Sequence, residues 1–282
     1  MKIFNSKTEI SQTIVNLKTK GFKIGFVPTM GALHQGHLSL VSQGLKENNI
    51  VIVSIFVNPT QFDKEEDLVK YPRTLDRDVD LLKAVSEDKI LVYTPSVKDI
   101  YGDKVVSISF SFDGLEYEME GKFRDGHFDG VGTIIKRFFE ILQPDNAYFG
   151  KKDFQQLQIV KKLTEKEKLP VTIRGCEIYR EPNGLAMSSR NERLTSEYKE
   201  AAPFIYKTLK AAKKMFGTKS ANQVTEWVNN VFKEHKLLEL EYFIIADIKT
   251  LKPIQRKSNK KTYRAFIAVY AKSIRLIDNI AL

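Results

Sequence analysis

Short apolar runs alternate with amphipathic segments over the first ~175 residues, and this alternation constrains the fold more than any other feature. The run IVIVSIFV at 50–57 is nearly all apolar, as is typical of a central strand in a parallel sheet covered on both faces. In the preceding segment, Leu38, Val41 and Leu45 fall on one face of a helix. Strands that alternate with helices of this length predict βαβ units and an α/β fold with a doubly wound parallel sheet.

The same pattern predicts the individual elements of this part of the chain. Strands are expected at 23–28, 50–57, 89–93, 146–150 and 170–175. Helices are expected at 37–48, 74–85, 130–142 and 153–168. The run VVSISFSF at 105–112 interrupts the alternation, and we expect a hairpin or an extension there.

The strict alternation of strand-like and helical segments ends after about residue 178. Two helical segments are followed by three strand-like runs, at 196–216, 220–235, 239–248, 262–271 and 274–278. Helices followed by hairpin-linked strands are typical of a small α+β domain. We therefore expect a first domain at residues 1–178 and a smaller α+β domain at residues 179–282.

The composition is that of a soluble globular protein. Hydrophobic residues make up 42% and charged residues 28% of the chain, and no run approaches the ~18 apolar residues that a membrane span needs. The first residues, MKIFNSKTEISQTIV, lack the apolar core and cleavage site of a signal peptide. Cys176 is the single cysteine, so no disulfide within the chain is expected. We therefore expect a cytoplasmic protein without a membrane partner.

The formal net charge of +10 is compatible with nucleic acid, anionic substrates or a lysine-rich surface. The lysines are scattered, and the run QRKSNKKTYR at 255–264 lies in a predicted loop. No zinc-finger, KH or RNP pattern accompanies the charge. We therefore favour a solvated basic surface and expect no nucleic-acid partner.

The turn VPTMGALHQGHLSLV at 27–41 carries His34 and His37 where the first predicted strand gives way to a helix. A zinc site needs three or four ligands, and four histidines and one cysteine supply no familiar set near this turn. Ligands of open α/β sheets bind at the C-terminal ends of strands, and a helix N-terminus suits phosphate. Gly36 lets the backbone approach such a group closely. We favour phosphate binding, although two histidines packed at a helix start stay an alternative.

Two later strand-to-helix turns also carry polar side chains, each with two interpretations. In SIFVNPTQF, Asn58 and Gln61 can form a turn or bind a substrate without neutralising it. In FGKKDFQQLQIV, Lys152 can bind phosphate or be solvated, and Asp153 can cap the following helix.

Two glycine-bearing loops leave the same kind of choice open. In GLAMSSRN, two adjacent hydroxyls and Arg190 can hold phosphate oxygens, or the segment is an ordinary linker. In EGKFRDGHFDGVGT, Arg124 and His127 belong either to a mobile loop over a site or to a surface turn.

Several motifs together carry a family resemblance. PTMGALHQGH resembles the HIGH signature of the nucleotidylyltransferase superfamily, which includes class I aminoacyl-tRNA synthetases, and MSSRN resembles its KMSKS counterpart. With SIFVNPTQF, YPRT, GHFDGV, YFGKKDFQQL, REPNGLAMSSRN and RLIDN, in order from about residue 24 to 279, the chain is similar to the pantoate–β-alanine ligase (pantothenate synthetase) family. The resemblance implies a Rossmann-like first domain, a small C-terminal lid domain and a homodimer. It also implies condensation of pantoate with β-alanine by ATP through a pantoyl-adenylate, with release of AMP and pyrophosphate.

The resemblance further implies roles for single residues. The expected contacts of the ATP phosphates are His34, His37, Lys152, Ser188, Ser189 and Arg190. The expected contacts of the rest of the nucleotide are Met30, Gly150, Asp153, Tyr179 and Met187. The expected contacts of pantoate are Met30, Asn58, Gln61, Tyr71 and Gln156. Asp78 is a candidate contact of Mg²⁺.

One departure and two other functions complete this picture. Asp125 stands where the family pattern has a proline that would stiffen the loop, and an acidic residue there can pair with Arg124. An adenylyltransferase that keeps the nucleotide in its product would share the HIGH-type turn but would not need the two glutamine motifs. An RNA-binding protein with the class I synthetase fold would need a basic stripe with exposed aromatic side chains, whereas most aromatics here lie inside apolar runs.

Overall fold

A parallel sheet of six strands confirms the predicted fold class; five of the strands lie where the alternating pattern predicts them, and the first, Lys2–Phe4, was not predicted. The six strands are β1 (Lys2–Phe4), β2 (Ile24–Thr29), β3 (Ile50–Ile55), β4 (Ile90–Tyr93), β5 (Asn146–Gly150) and β6 (Thr172–Cys176). The helices of the same region are α1 (Lys7–Thr19), α2 (Gln35–Glu47), α3 (Glu65–Lys70), α4 (Leu75–Val85), α5 (Val97–Tyr101), α6 (His127–Leu142) and α7 (Phe154–Lys166). The computed structural model describes residues 1–62 and 65–282. It confirms the predicted α/β class with a Rossmann-like parallel sheet.

Helices cover both faces of this sheet, as its apolar strands require. Successive side chains of a strand point to opposite faces, so Phe26 and Val27 of β2 serve different layers. The ring of Phe26 packs edge-on against Phe138 of α6, with centroids 5.5 Å apart. Val27 packs with Val41 of α2 and Val51 of β3 in the other layer. Burying each such side chain contributes about 1.5–3 kcal/mol, which explains why the most apolar runs are the central strands.

The strand order, β1-β4-β3-β2-β5-β6, reverses next to β2. From β2 the chain adds β3 and β4 on one side and then returns to place β5 on the other, and both neighbours pair with β2 in parallel. Such a reversal opens a crevice at the carboxyl ends of the strands, where ligands bind in this class of fold. The turns that follow β2, β3 and β5 therefore meet at one edge of the sheet.

The segment 105–112 belongs to no helix or strand of the described residues. The backbone N–H groups of Ile108 and Phe110 donate to Thr133 Oγ1 at 2.8 Å and Asp129 Oδ1 at 2.9 Å, both on α6. These two N–H groups of the segment therefore face the helix. Of the two structures expected here, a hairpin or an extension, the hairpin is wrong, because N–H groups of the segment donate to side chains of α6 and not to a second strand.

The remaining elements belong to a second compact unit, Ile178–Leu282, which follows the first unit, Met1–Glu177. They are α8 (Ser196–Ala201), α9 (Phe204–Phe216), α10 (Ala221–Lys233), β7 (Leu238–Asp247), β8 (Tyr263–Ala271) and β9 (Ile274–Ala281), with the three strands antiparallel. The helix expected at 196–216 is two helices, since Pro203 lacks a backbone N–H and stands at the start of α9. No helix of the described residues combines the length and apolar character needed to cross a bilayer.

Candidate active site

The turn between β2 and α2 is shaped by its two histidines. His34 stands at the N-cap of α2, and its Nδ1 accepts the backbone N–H of Gly36 at 3.1 Å. His37 accepts the backbone N–H of His34 on its own Nδ1 at 3.3 Å. The two bonds form a reciprocal capping box in which imidazoles satisfy N–H groups that a helix start leaves without partners.

These bonds determine where each ring carries its proton. A ring nitrogen that accepts a hydrogen bond carries no proton, so the neutral imidazole carries it on Nε2. His34 and His37 therefore each present an Nε2–H donor on the edge away from the capping bond. Their rings stack with centroids 4.0 Å apart and planes inclined by 28°, so the two imidazoles lie against each other at the start of α2. Paired donors at a helix N-terminus suit phosphate oxygens.

His37 is held in its neutral form. Burial, reinforced by His34 and by the positive charge of Lys152, lowers the pKa of His37 to about 3. Lys152 follows β5 in the chain. Because its charge lowers the pKa of His37, the predicted phosphate cation lies near the start of α2. At neutral pH His37 is therefore a neutral donor that lies near His34 and Lys152.

Gln61 lies in the short turn after β3, and its side-chain amide is held on both sides. Its Nε2 donates to Met30 Sδ at 2.8 Å, and its Oε1 accepts from Asn58 Nδ2 at 3.3 Å. Asn58 is buried, donates to the Gly130 carbonyl at 3.1 Å and accepts the Tyr101 hydroxyl at 2.6 Å. Three of the predicted pantoate contacts thus form one cluster, in which Asn58 supports Gln61.

Arg124 and His127 hold the backbone of the same glutamine. His127 Nδ1 donates to the Gln61 carbonyl at 2.9 Å, and Arg124 Nη2 donates to it at 3.1 Å. Arg124 Nη1 lies 3.3 Å from His127 Nε2, which can accept because the ring proton is on Nδ1. The glycine-bearing loop that carries these residues is therefore a support for Gln61, and a plain surface turn is excluded.

Two further predictions fall beside this cluster. The ring of Tyr71 packs edge-on against Phe62, the residue after Gln61, with centroids 5.7 Å apart. Asp125 is exposed, whereas the guanidinium group of Arg124 is directed at the Gln61 carbonyl. The predicted roles of Tyr71 in pantoate binding and of Asp125 in the loop stay predictions.

The turn after β5 carries Lys152 and its neighbours. β5 ends at Gly150, and the Lys152 ammonium group lies 3.7 Å from Asp153 Oδ1. Asp153 occupies the N-cap position of α7, but in this described stretch its side chain makes no capping bond. Gln155 is buried and donates to two backbone carbonyls, while Gln156 is partly exposed. Of Gln155 and Gln156, only Gln156 thus has a side chain that is accessible to a ligand.

Asp78, the candidate Mg²⁺ contact, lies in α4 with its carboxylate buried against the turn that precedes His34. Its oxygens accept the backbone N–H groups of Ala32 and Leu33. Within residues 1–62 and 65–282, no group of three or more His, Cys, Asp and Glu side chains is arranged to hold a metal ion. Direct coordination by Asp78 does not fit this arrangement, and Mg²⁺ stays a prediction.

The MSSRN motif belongs to the second unit and lies in the loop before α8. Ser188 Oγ accepts the backbone N–H of Arg190 at 3.3 Å and so begins the short helical turn that contains Ser189. The backbone N–H of Met187 donates to the Tyr179 carbonyl at 3.0 Å, and the side chains of Tyr179 and Arg190 are exposed. The contacts of these five residues with ATP stay predictions.

The residues that hold this loop were missed by the sequence reasoning. Arg180 donates to the two carboxylate oxygens of Asp278 at 2.6 and 2.9 Å, and its guanidinium group lies 3.5 Å from the ring centroid of Tyr206. Asn191 Nδ2 donates to Glu181 Oε1 at 2.7 Å. RLIDN had stood out as a motif, but nothing local to it indicates a partner 98 residues away.

Comparisons with known proteins show that the chain is similar to proteins of one family, in sequence and in structure. The family model described as pantoate-beta-alanine ligase matches residues 2–281. Proteins named pantothenate synthetase from Christiangramia forsetii and Flavobacterium psychrophilum are each 57% identical over 282 residues, covering 100% of this chain and 99% and 100% of theirs. The structure of pantothenate synthetase from Thermus thermophilus has 35% identity and a TM-score of 0.90, with 99% of both chains covered. That of the Francisella tularensis ligase, complexed with beta-gamma ATP and beta-alanine, has 36% identity and a TM-score of 0.79 over 100% of this chain and 97% of the other.

Proposed function

The chain belongs to the pantoate–β-alanine ligase family, and we propose that the crevice at the carboxyl ends of β2, β3 and β5 is its active site. The protein is an AMP-forming ligase that joins pantoate to β-alanine and converts ATP to AMP and pyrophosphate. The observation that carries the proposal is the stacked pair His34 and His37, whose capping bonds leave Nε2–H donors at the start of α2. A helix N-terminus with two such donors is a site for phosphate.

In the first step, a carboxylate oxygen of pantoate attacks the α-phosphorus of ATP, and the bond to the bridging oxygen breaks as pyrophosphate leaves. Negative charge grows on the departing phosphates, so fixed donors stabilise the transition state more than the ground state. We assign this role to His34 and His37 as neutral donors and to Lys152 as the cation beside them. Their positions are set by the capping box, so little reorganisation accompanies the reaction.

Gln61 and Gln156 are assigned to pantoate. An amide can bind the hydroxyl and carboxylate groups of pantoate without neutralising the attacking oxygen, whereas a bidentate arginine would lower its nucleophilicity. Gln61 is restrained through its side chain by Asn58 and Met30 and through its carbonyl by the 124–127 loop. This preorganisation favours a single orientation of the bound carboxylate.

In the second step, the amine of β-alanine attacks the acyl carbon of the pantoyl-adenylate, AMP leaves and the nitrogen loses a proton. Water would hydrolyse the mixed anhydride, so the site has to be closed during the reaction. We propose that residues 179–282 close it, with Ser188, Ser189 and Arg190 on the phosphates and Tyr179 and Met187 at the adenine. One Mg²⁺ ion carried on the phosphates of ATP would neutralise part of their charge. We place this reaction in the cytoplasm.

We further infer a homodimer that forms through the 105–112 segment. Val105, Val106 and Ile108 are exposed by 45%, 59% and 42% of their surfaces. Ile108 and Phe110 donate to α6, and near the end of the segment Lys166 Nζ donates to the Ser111 carbonyl at 2.8 Å, so the surface offered to a second copy lies around the exposed residues 105–108. A two-fold axis pairs such a segment antiparallel with its own copy and covers the apolar side chains.

The ligase activity is tested by incubation with ATP, pantoate and β-alanine. We expect AMP, pyrophosphate and pantothenate in equal amounts, and without β-alanine about one pyrophosphate per active site as the adenylate accumulates. Release of ADP, or of AMP at the same rate without pantoate, would show that the assignment is wrong. A product that retains the nucleotide would indicate an adenylyltransferase.

A further inference from the structure

We propose that Asp78 is a positioning residue of the phosphate-binding turn. Its carboxylate holds the backbone at residues 31–33 in the conformation that presents His34 and His37 to ATP. The inference rests on the proposed function, since it takes this turn as the ATP-phosphate site.

The contacts of Asp78 join two elements that are far apart in the chain. Asp78 lies near the start of α4 with 0% of its surface exposed. Its Oδ2 accepts the backbone N–H of Ala32 at 2.9 Å, and its Oδ1 accepts that of Leu33 at 2.7 Å. The Thr74 hydroxyl donates to Oδ1 at 3.2 Å. Bonds to an ionised acceptor are about twice as strong as neutral ones, so this carboxylate fixes the turn against α4.

The turn needs such support because its backbone is unusual. Gly31 has φ of +88° and Ala32 has φ of +49°, and a residue with a Cβ rarely adopts the left-handed region. Successive N–H groups in such turns point to one side and attract an anion. Here the anion is the side chain of Asp78. A Cβ added to Gly31 would lie 3.2 Å from Asp78 Oδ2, so turn and carboxylate are already in close contact.

The same geometry argues against a metal contact. Both carboxylate oxygens of Asp78 face N–H hydrogens, which carry partial positive charge and repel a divalent cation. The side chain is also closed to solvent. Asp78 therefore acts on ATP through the backbone before His34, and this action requires no metal.

ATP binding measured by calorimetry, once in EDTA and once with Mg²⁺, separates the two roles. Asp78→Asn sets an amide NH₂ group against a backbone N–H, so we expect ATP affinity to fall on the order of 10-fold or more, by the same factor in both buffers. Thr74→Val removes only the supporting hydroxyl and should lower affinity by roughly 3-fold. Asp80→Asn is the matched control, because this carboxylate lies on the same helix with 75% of its side chain exposed, and it should leave affinity unchanged.

A second readout is the ¹⁵N spectrum of the imidazoles, which reports the Nε2–H form of His34 and His37. We expect their signals to move in Asp78→Asn, while a thermal melt shows that the chain is folded. If the variant loses affinity only with Mg²⁺, Asp78 is a metal contact and the positioning role is overturned. If Asp78→Asn does not fold, Thr74→Val tests the proposal in its place. If Thr74→Val then leaves both the ATP affinity and the imidazole signals unchanged, the proposal is overturned. Failure of the unaltered protein to bind ATP would instead overturn the proposed function.

Discussion

The imidazole rings of His34 and His37 stack 4.0 Å apart while the Nδ1 atom of each accepts a backbone N–H of the same turn. Two positively charged rings would repel each other at this distance, so the stacked arrangement disfavours protonation of both rings, and the pKa of His37 is lowered to about 3. Each histidine therefore has two separable functions. Its Nδ1 stabilises the start of α2, and its Nε2–H is the group that we propose donates to the ligand.

Replacing His34 tests this separation. Asparagine is a favourable N-cap residue whose oxygen can replace Nδ1, but it has no donor at the position of Nε2. We expect His34→Asn to keep the free energy of unfolding and His34→Ala to lower it by about 1 kcal/mol. Both should reduce kcat by on the order of 100-fold. Urea unfolding measures the change in stability, and AMP formation measures the change in kcat. A wild-type kcat in His34→Asn would show that Nε2 of His34 does not contribute to the reaction.

His37 makes stability depend on pH in a defined direction. Burial, His34 and Lys152 lower its pKa from 6.5 to about 3, so between these values the unfolded chain binds more protons than the folded one. This contribution to the free energy of unfolding is complete above pH 6.5 and is lost as the pH falls towards 3, by up to about 1.4 kcal/mol per pH unit.

His37→Gln is the matched variant for this effect. Glutamine can keep the reciprocal capping bond and does not titrate, so its unfolding midpoint should change less with pH. Urea unfolding between about pH 4.5 and 7 makes the comparison. Parallel pH profiles for the two proteins would mean that His37 is not held neutral.

Much of the site is predictable because its parts are local. The alternation of apolar runs places His34 and His37 at a strand-to-helix turn, and polar residues after a buried strand identify Gln61 and Lys152 in the same way. The supports of these residues are not local. Arg124 lies 63 residues from the Gln61 carbonyl that it binds, and Asp78 lies 45 residues from Leu33. Periodicity locates the elements, whereas such contacts depend on the order of the strands in the sheet.

The 105–112 segment shows the same limit in the fold. Its alternating apolar residues are typical of a strand, but the described residues form no strand there. A strand pattern, however, does not specify which groups accept its N–H hydrogens. Here the acceptors are the side chains of Thr133 and Asp129 on α6. The sequence of neither segment alone predicts these hydrogen bonds.

The support of Gln61 by Arg124 should affect pantoate more than ATP. Removing the guanidinium group in Arg124→Ala takes one donor from the Gln61 carbonyl and removes the group beside His127 Nε2. We expect KM for pantoate to rise by about 10-fold or more while KM for ATP stays within about 2-fold. Lys122→Ala is the control, since this exposed side chain pairs within its own loop at 3.4 Å from Glu118. Equal increases in both KM values would contradict the assignment.

The homodimer should depend on the outer face of the 105–112 segment. Val106 is 59% exposed, and Val106→Lys would place a charge in the apolar contact between two copies. For Val106→Lys, we expect the molar mass in solution, measured by light scattering, to fall from that of a dimer to that of a monomer. Val15→Lys, at a valine on α1 that is 51% exposed, should leave the mass unchanged. A monomeric unaltered protein would contradict the inferred dimer directly.

Asp278 should be needed for the stability of the second unit and for the loop that carries MSSRN. The side chains of Arg180 and Asp278 are only 17% and 3% exposed, so Asp278→Asn leaves a largely covered guanidinium group without this charge partner. We expect the free energy of unfolding to fall by about 3 kcal/mol, whereas Glu241→Gln, in the more exposed pair with Arg275, should cost about 1 kcal/mol.

The double variant Arg180→Met with Asp278→Leu separates burial of charge from loss of the loop anchor. Replacing both partners by apolar side chains of similar size removes the unpaired charge, so most of the lost stability should return. The loop would still lack the bond from Arg180 to the Gly184 carbonyl, which is 3.0 Å long. We therefore expect the double variant to have a higher KM for ATP than the unaltered protein, although the two unfold almost alike. Recovery of both stability and KM would show that Arg180 and Asp278 do not position the loop.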